Sequence, residues 1–173
     1  MALALRMSTT RRHNMILNNM LFDLLAVKDK DIEVLREEIA LCYMGEKIPD
    51  DFAVLMDLNE DSFQKVDIDY LYFVQPDFLF FKENPFKWNE KETRVAGCPD
   101  LILEVWSDSN TNEERQAKMK LYATSNVTEF WQMDQNSNIV KCSVGNTQLP
   151  EQILNKILIT QNNIKFNLTH LAL

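Results

Sequence analysis

The sequence predicts an α/β fold, a mixed central β-sheet flanked by helices, and three observations carry that expectation. Residues 101–106 (LILEVW) and 72–81 (YFVQPDFLFF) are apolar on both faces, as strands covered on both sides should be. Residues 99–134 run on as strand, loop, helix and strand. Residues 10–27 place Leu17, Met20, Leu21, Leu24 and Leu25 at helical spacing behind the possible caps Ser8, Thr9 and Thr10.

Residues 29–45 read as a further helix through Ile32, Leu35, Ile39 and Cys42, with residues 40–44 equally readable as a strand. Residues 52–58 and 68–74 read as strands around an acidic loop, a meander leading into Asp77. Residues 83–95 are polar and contain a proline, which reads as a loop between two acid-bearing strands. Thr111 and Glu114 have capping-box spacing, so a helix begins near Asn112 and runs to about Thr124. Ala117 and Leu121 take its packed face, with Lys118 and Tyr122 stacked one turn apart beside them. Residues 130–133 form a strand, 134–138 a turn and 139–144 the returning partner. Residues 153–159 and 164–168 read as late strands at a sheet edge, and the end of the chain as a short helix. There is no repeat, low-complexity tract or linker, so residues 1–173 read as one domain.

A hydrophobic content of 46% with ten phenylalanines fits a soluble globular protein, and only three glycines argue against a dinucleotide or P-loop enzyme. Cys42, Cys98 and Cys142 are odd in number and far apart, which suggests neither a disulfide framework nor a zinc cluster. No apolar run approaches the ~18 residues of a membrane span, and MALALRM is too short for a signal core. A cytoplasmic protein with no membrane partner is expected. Residues 28–69 hold five Lys or Arg against thirteen Asp or Glu, which accounts for the whole net charge of −8. The rest of the chain is neutral and need not repel phosphates, although it carries no strong basic stripe.

Two acids stand out against this background. In residues 101–106, Leu101, Leu103 and Val105 point one way and Ile102, Glu104 and Trp106 the other. Burying an unpaired carboxylate is costly, so Glu104 must be protonated, paired with a cation or bound to a metal. Lys118, on the flank of the following helix, can bend its ammonium over the preceding strand. Asp77, 27 residues before Glu104, shares a strand face with Leu79 and Phe81, and Pro76 before it marks an edge or first paired position. If the strands are neighbours, the two carboxylates converge on one hard divalent cation, with oxygens at roughly 2.0–2.1 Å for magnesium. The alternatives are a private salt bridge or solvent for each acid, and a solvated lysine. Asp100 is on the Glu104 face but roughly 13 Å away, too far to share an ion, and reads as a loop or cap residue. His13 lies in the first turn of the first helix, where a lone histidine is more often solvated than a ligand. It is assigned a minor role at most.

These residues resemble the Uma-type putative restriction endonucleases of the PD-(D/E)XK superfamily. The matching positions are His13, Pro76-Asp77, Pro99-Asp100-Leu101, Glu104-Val105, Ser107, Lys118, Tyr122, Glu129-Phe130-Trp131 and Asp134, spread over about residues 8 to 144. Ser107-Asp108-Ser109 stands where the family has Ser-Pro-Ser. Trp106 occupies the lysine position of the (D/E)XK tripeptide, and Lys118 replaces that lysine from the helix. Relatives carry an additional N-terminal helix and strand, so the resemblance implies a chain truncated at its N-terminus and lacking any acid that part supplies.

The resemblance implies a restriction endonuclease-like fold and a metal-dependent DNA endonuclease. Asp77 and Glu104 would ligate Mg2+ or Mn2+, helped by the Val105 backbone carbonyl, and Lys118 would be the catalytic cation. Gln132 would orient Lys118 or a water, with a plain polar strand-end residue as its alternative. DNA binding is expected to be weak for a monomer, and a homodimer would present one site to each strand. Lys118→Ala is expected to cost activity while sparing the fold. Two other classes stay open: a catalytically inactive nuclease-fold module for nucleic-acid or protein binding, and a regulatory protein working through residues 28–69.

Overall fold

The structure is a computed structural model that describes residues 11–25, 32–36, 39–43, 71–88, 92, 94–154, 157–161 and 164–167. Helix α1 (Arg11–Leu25) precedes strands β1 (Glu33–Arg36), β2 (Ile39–Tyr43), β3 (Leu71–Val74), β4 (Phe78–Phe81), β5 (Phe86–Trp88), β6 (Arg94–Gly97) and β7 (Leu101–Trp106). Helix α2 (Asn112–Thr124) leads to β8 (Glu129–Asp134), β9 (Ile139–Val144), β10 (Thr147–Gln148), β11 (Gln152–Ile153), β12 (Ile157–Ile159) and β13 (Lys165–Asn167). The main sheet has the order β1-β4-β7-β8-β9-β10, with β11 also on β9. It is mixed: β7 and β8 run parallel on either side of α2, and the other pairs are antiparallel. A second sheet, β3-β2-β6-β5, and a β12–β13 ribbon complete the strands. No helix among the described residues is long and apolar enough to cross a membrane.

The central strand, β7, is buried at all six positions, which matches its apolar reading on both faces. Alternate residues feed two cores. Phe78, Phe80, Leu101, Leu103, Val105, Trp131 and Met133 pack with Leu17 and Met20 of α1 on one side of the sheet. Leu79, Phe81, Ile102 and Phe130 pack with Tyr122 of α2, and with Val74 and Val95 of the second sheet, on the other. Each large side chain buried this way contributes about 1.5–3 kcal/mol, so the sheet position of β7 is strongly held.

Several expectations are corrected. Residues 72–81 are not one strand: β3 pairs with β2 in the second sheet, whereas β4 pairs with β1 and β7 in the main one. Pro76 has no N–H to offer a ladder, and the chain changes sheets there. The helix alternative for residues 29–45 fails over its described part, which is β1 and β2, each held by neighbouring strands. Pairing overrides the helical spacing of the apolar residues. The loop expected over residues 83–95 contains β5 and the start of β6, in which Trp88 pairs with Val95. The late strand expected over residues 153–159 is split into β11 and β12, which pair with different partners. The packed face of α2 is also different: Lys118 and Tyr122 are buried, Ala117 is exposed and Leu121 half-buried. The strand expected over residues 52–58, most of the acidic segment 28–69 and the terminal short helix lie outside the described residues.

Asp100 caps a loop, as its distance from Glu104 suggested. Its Oδ2 accepts the backbone N–H groups of Lys82, Glu83 and Asn84 at 2.8, 3.0 and 3.1 Å, tying the end of β4 to the start of β7. Hydrogen bonds to a charged acceptor contribute more than neutral ones. Asp100→Ala is therefore expected to lower stability by about 1–3 kcal/mol, read as a shifted denaturant midpoint with an unchanged slope. Asp100→Asn, which keeps an acceptor oxygen, should recover part of the loss. Equal midpoints for all three proteins would mean that water replaces the carboxylate.

Candidate functional site

The site is assembled around the end of β7 by the turn and helix that follow it. Asn110 Oδ1 accepts from the Ser107 backbone N–H at 2.7 Å, and the Asn110 N–H returns to the Ser107 carbonyl at 3.1 Å. This tight turn delivers Thr111 as the N-cap of α2. Its capping box is complete: Glu114 N–H donates to Thr111 Oγ1 at 3.2 Å, and Thr111 N–H to Glu114 Oε2 at 2.9 Å. Arg115 donates to the Ser107 carbonyl at 2.9 Å and to Asp134 Oδ2 at 3.2 Å, pinning the first turn of α2 to the ends of β7 and β8. With its first turn fixed, α2 turns Lys118 and Tyr122, one helical turn apart, toward the strand below.

Both contact Glu104. The Lys118 ammonium donates to Glu104 Oε1 at 2.7 Å and to the Gln75 carbonyl at 3.3 Å, and the Tyr122 hydroxyl donates to the same Oε1 at 2.5 Å. Glu104 and Lys118 are 2% and 1% exposed, so this ion pair is cut off from solvent. The second carboxylate oxygen, Oε2, is buried and has no hydrogen-bond partner among the described residues. Burial pushes the Glu104 carboxyl above its usual range; Lys118 draws it back, and the neighbouring negative charge of Asp77 pushes it further up.

Asp77 occupies the joint between β3 and β4. The last ladder pair is Phe78 with Leu103, so Asp77 comes one step beyond it, alongside Glu104. Its Oδ2 accepts the Val105 backbone N–H at 2.7 Å. Gln132 is the register partner of Glu104 on β8, and its Oε1 accepts the Trp106 indole N–H at 3.0 Å. The structure thus brings Asp77, Glu104, Val105, Lys118 and Gln132 together at one end of β7. Gln132 holds an indole ring and makes no hydrogen bond to Lys118 among the described residues.

Sequence reasoning undervalued His13. It is 3% exposed, with Nε2 2.7 Å from the Val105 carbonyl and 3.4 Å from Asp77 Oδ2. Facing a carbonyl, Nε2 carries the proton and donates. The signal was available in the spacing: His13 lies one turn before the buried Leu17 and therefore on the apolar stripe of α1. Tyr122 was recognised as a helix position but given no role.

Two carboxylates and a histidine meet here, although among the described residues no group of three or more His, Cys, Asp or Glu side chains is arranged to hold a metal ion. The chemistry that fits an ion is narrower: one bare, buried oxygen on Glu104 beside a second carboxylate. Magnesium binds through one or two carboxylates and keeps several waters, so this donor set is compatible with it.

The burial of Lys118 corrects the expectation that its removal would spare the fold. Removing one partner of a buried pair leaves the other charge uncompensated, at a cost of about 3–5 kcal/mol. Lys118→Ala is expected to unfold at markedly lower denaturant than the wild type. Lys118→Met combined with Glu104→Gln, which removes both charges at similar volume, should recover most of that loss. Chemical denaturation of the three proteins decides the point, and no recovery in the double variant would assign the lysine a packing role alone.

The sequence matches the model of the Uma2 family, described as putative restriction endonucleases, over residues 56–156. No curated protein matches the chain. The fold is similar to that of a putative nuclease belonging to DUF820 from Anabaena variabilis ATCC 29413, with a TM-score of 0.62 and 9% sequence identity, covering 96% of this chain and 83% of that one. At such low identity the likeness speaks for the fold alone, which is that of a nuclease-like α/β protein with a mixed sheet. The family match spans more than half of the sequence and includes Asp77, Glu104, Lys118 and Tyr122, and the chain belongs to the Uma2 family.

Proposed function

We propose that the protein is a divalent-metal-dependent endonuclease that hydrolyses phosphodiester bonds of DNA. Membership of a family described as restriction endonucleases supports a nuclease. The observation that carries the metal reading is the bare, buried Glu104 Oε2 next to Asp77. Asp77 and Glu104 would hold Mg2+ or Mn2+, joined by the second lone pair of the Val105 carbonyl. A bound ion supplies charge to polarise a phosphate and to lower the pKa of a water.

The protein's own groups do the rest. Lys118 has three ammonium hydrogens, of which Glu104 Oε1 and the Gln75 carbonyl take two. The third has no acceptor among the described residues, and a phosphate oxygen brought against the lysine would take it, so that the ammonium would stabilise charge developing there. His13 fixes the Val105 carbonyl, and the Val105 N–H fixes Asp77 Oδ2, which holds the two acid-bearing segments in register. Trp106 walls one side of the lysine: it is 3% exposed, its indole N–H donates to Gln132, and its ring centroid lies 5.8 Å from the Lys118 ammonium.

Wild-type protein at low salt is expected to nick supercoiled plasmid slowly with Mg2+ or Mn2+, and to sediment as a dimer that offers one site to each strand. Asp77→Ala and Glu104→Gln, prepared in parallel, should abolish nicking. Equal nicking by all three would indicate a contaminant, and a monomer would exclude the two-site arrangement. DNA binding without cleavage by the wild type would favour an inactive binding module.

The pH dependence has a definite sign. Glu104 holds its proton to a higher pH than an ordinary glutamate, and a cation competes with that proton. Apparent Mn2+ affinity should therefore be low in acid and rise as pH increases through the raised pKa. Titrations at a series of pH values check this, and an affinity that falls with rising pH would remove Glu104 from the ion's ligands.

A further inference from the structure

Glu104 is held asymmetrically. Lys118 and Tyr122, four residues apart on one face of α2, both donate to Oε1, and Oε2 is left without a partner in a fully buried position. A fold that needed only to neutralise a buried carboxylate would place one donor on each oxygen, because an unmet buried acceptor is costly. Lys118 alone meets the charge. The hydroxyl of Tyr122, itself 1% exposed, adds nothing to neutrality, but it fixes the rotation of the carboxylate about its own axis. The ring is held in turn by Phe130 of β8, with centroids 6.0 Å apart. The constraint thus comes from packed structure rather than from a mobile side chain.

From this we infer that Tyr122 is a positioning residue that holds Glu104 Oε1 so that Oε2 is presented to a divalent cation. The inference rests on the metal-dependent reading above. Its content is the division of labour between the two oxygens: Oε1 belongs to the helix and Oε2 to the ion. Removing a donor from a carboxylate has two opposite consequences for cation binding. The oxygen becomes more basic, which tightens binding, and the carboxylate becomes free to turn, which weakens it. With Lys118 still in place on Oε1, the change in basicity is small and the loss of orientation dominates. Removing such an outer partner of a ligand typically weakens metal binding tenfold or more.

Mn2+ binding is measured directly, by the disappearance of the free-ion electron paramagnetic resonance signal, for wild type, Tyr122→Phe, Glu104→Gln and Leu121→Ala, each with its melting temperature. Tyr122→Phe is expected to raise the Mn2+ dissociation constant by about tenfold, with a melting temperature lower by no more than about 4 °C. Glu104→Gln should abolish binding. Leu121→Ala, on the same helix but away from the carboxylate, should lower the melting temperature and leave Mn2+ affinity unchanged. Unchanged or tighter binding by Tyr122→Phe overturns the inference, as does a Leu121→Ala protein whose affinity falls in step with its stability. If the wild type itself binds no Mn2+, the metal reading fails and the inference falls with it. A crystal structure of the wild type grown with Mn2+ tests the same point without any variant. An ion on Oε2 with Tyr122 still on Oε1 supports the inference; an ion on Oε1 with the hydroxyl displaced overturns it.

Discussion

The buried ion pair between Glu104 and Lys118 is the constraint around which the rest of this structure is arranged. At 2.7 Å and out of contact with water, the pair repays the desolvation of two charges only if its geometry is held by its surroundings. One partner is on the central strand β7 and the other two turns into α2. Every device between them shortens the reach of the helix over the sheet: the Ser107–Asn110 turn, the complete capping box, and Arg115 clamped to Ser107 and Asp134. The parallel pairing of β7 with β8 is the other half of the arrangement, because a parallel neighbour requires a crossover and the crossover is α2. The pair also helps to set which face of α2 lies on the sheet, since the fully buried residues of the helix are a lysine and a tyrosine and Met119, Leu121 and Ala123 pack only partly against the core.

A second constraint comes from the opposite direction along the chain. Pro76 ends one ladder, and Asp77 follows it in the short joint between two sheets. A residue in a joint has no ladder bonds of its own to place it. Asp77 is placed by the Val105 N–H, and Val105 is held on its carbonyl side by His13 from α1. Three separated segments are thereby tied together at one residue, Val105, next to Glu104. This explains why a histidine is tolerated on the apolar stripe of α1: its ring meets a carbonyl and a carboxylate at the depth where a leucine would have met only polar atoms.

How much of this was legible in the sequence follows from which forces act locally. The capping box sets the first turn of α2 by itself, so the helix bounds of 112 and 124 were readable, and so was β7, because a strand apolar on both faces has one good solution. The pairing of Glu104 with Lys118 was readable too, since an acid on an apolar strand needs a partner. The burial of Lys118 and the exposure of Ala117 were not. Ranking residues by hydrophobicity puts the alanine inward, and only the strand opposite, with its glutamate, reverses the order. The change of sheet at Pro76 was half visible, as a proline at an edge, but which strands it separates depends on pairing partners far along the chain. His13 was misjudged because its partners, Val105 and Asp77, are distant in sequence and one of them is a backbone carbonyl, which no side-chain pattern reveals. The short β5 strand fails on local grounds: three residues between charges carry too little periodicity to stand out.

The arrangement also addresses a difficulty that any carboxylate site in a dry interior faces. Without an ion, two neighbouring acids repel each other, and Glu104 must be protonated or find a cation. Lys118 is that cation, and it meets the charge from within the chain. Had the ammonium bridged both oxygens, admitting an ion would have required breaking the pair that holds α2 to β7. Because Lys118 and Tyr122 crowd onto Oε1, the pair can persist while Oε2 takes another partner. The cost is one unmet acceptor, an expense of about 1–3 kcal/mol that the surrounding apolar burial readily absorbs. On the proposed metal reading, stability and ion binding would be served by different oxygens of the same carboxylate, and neither would have to be given up for the other.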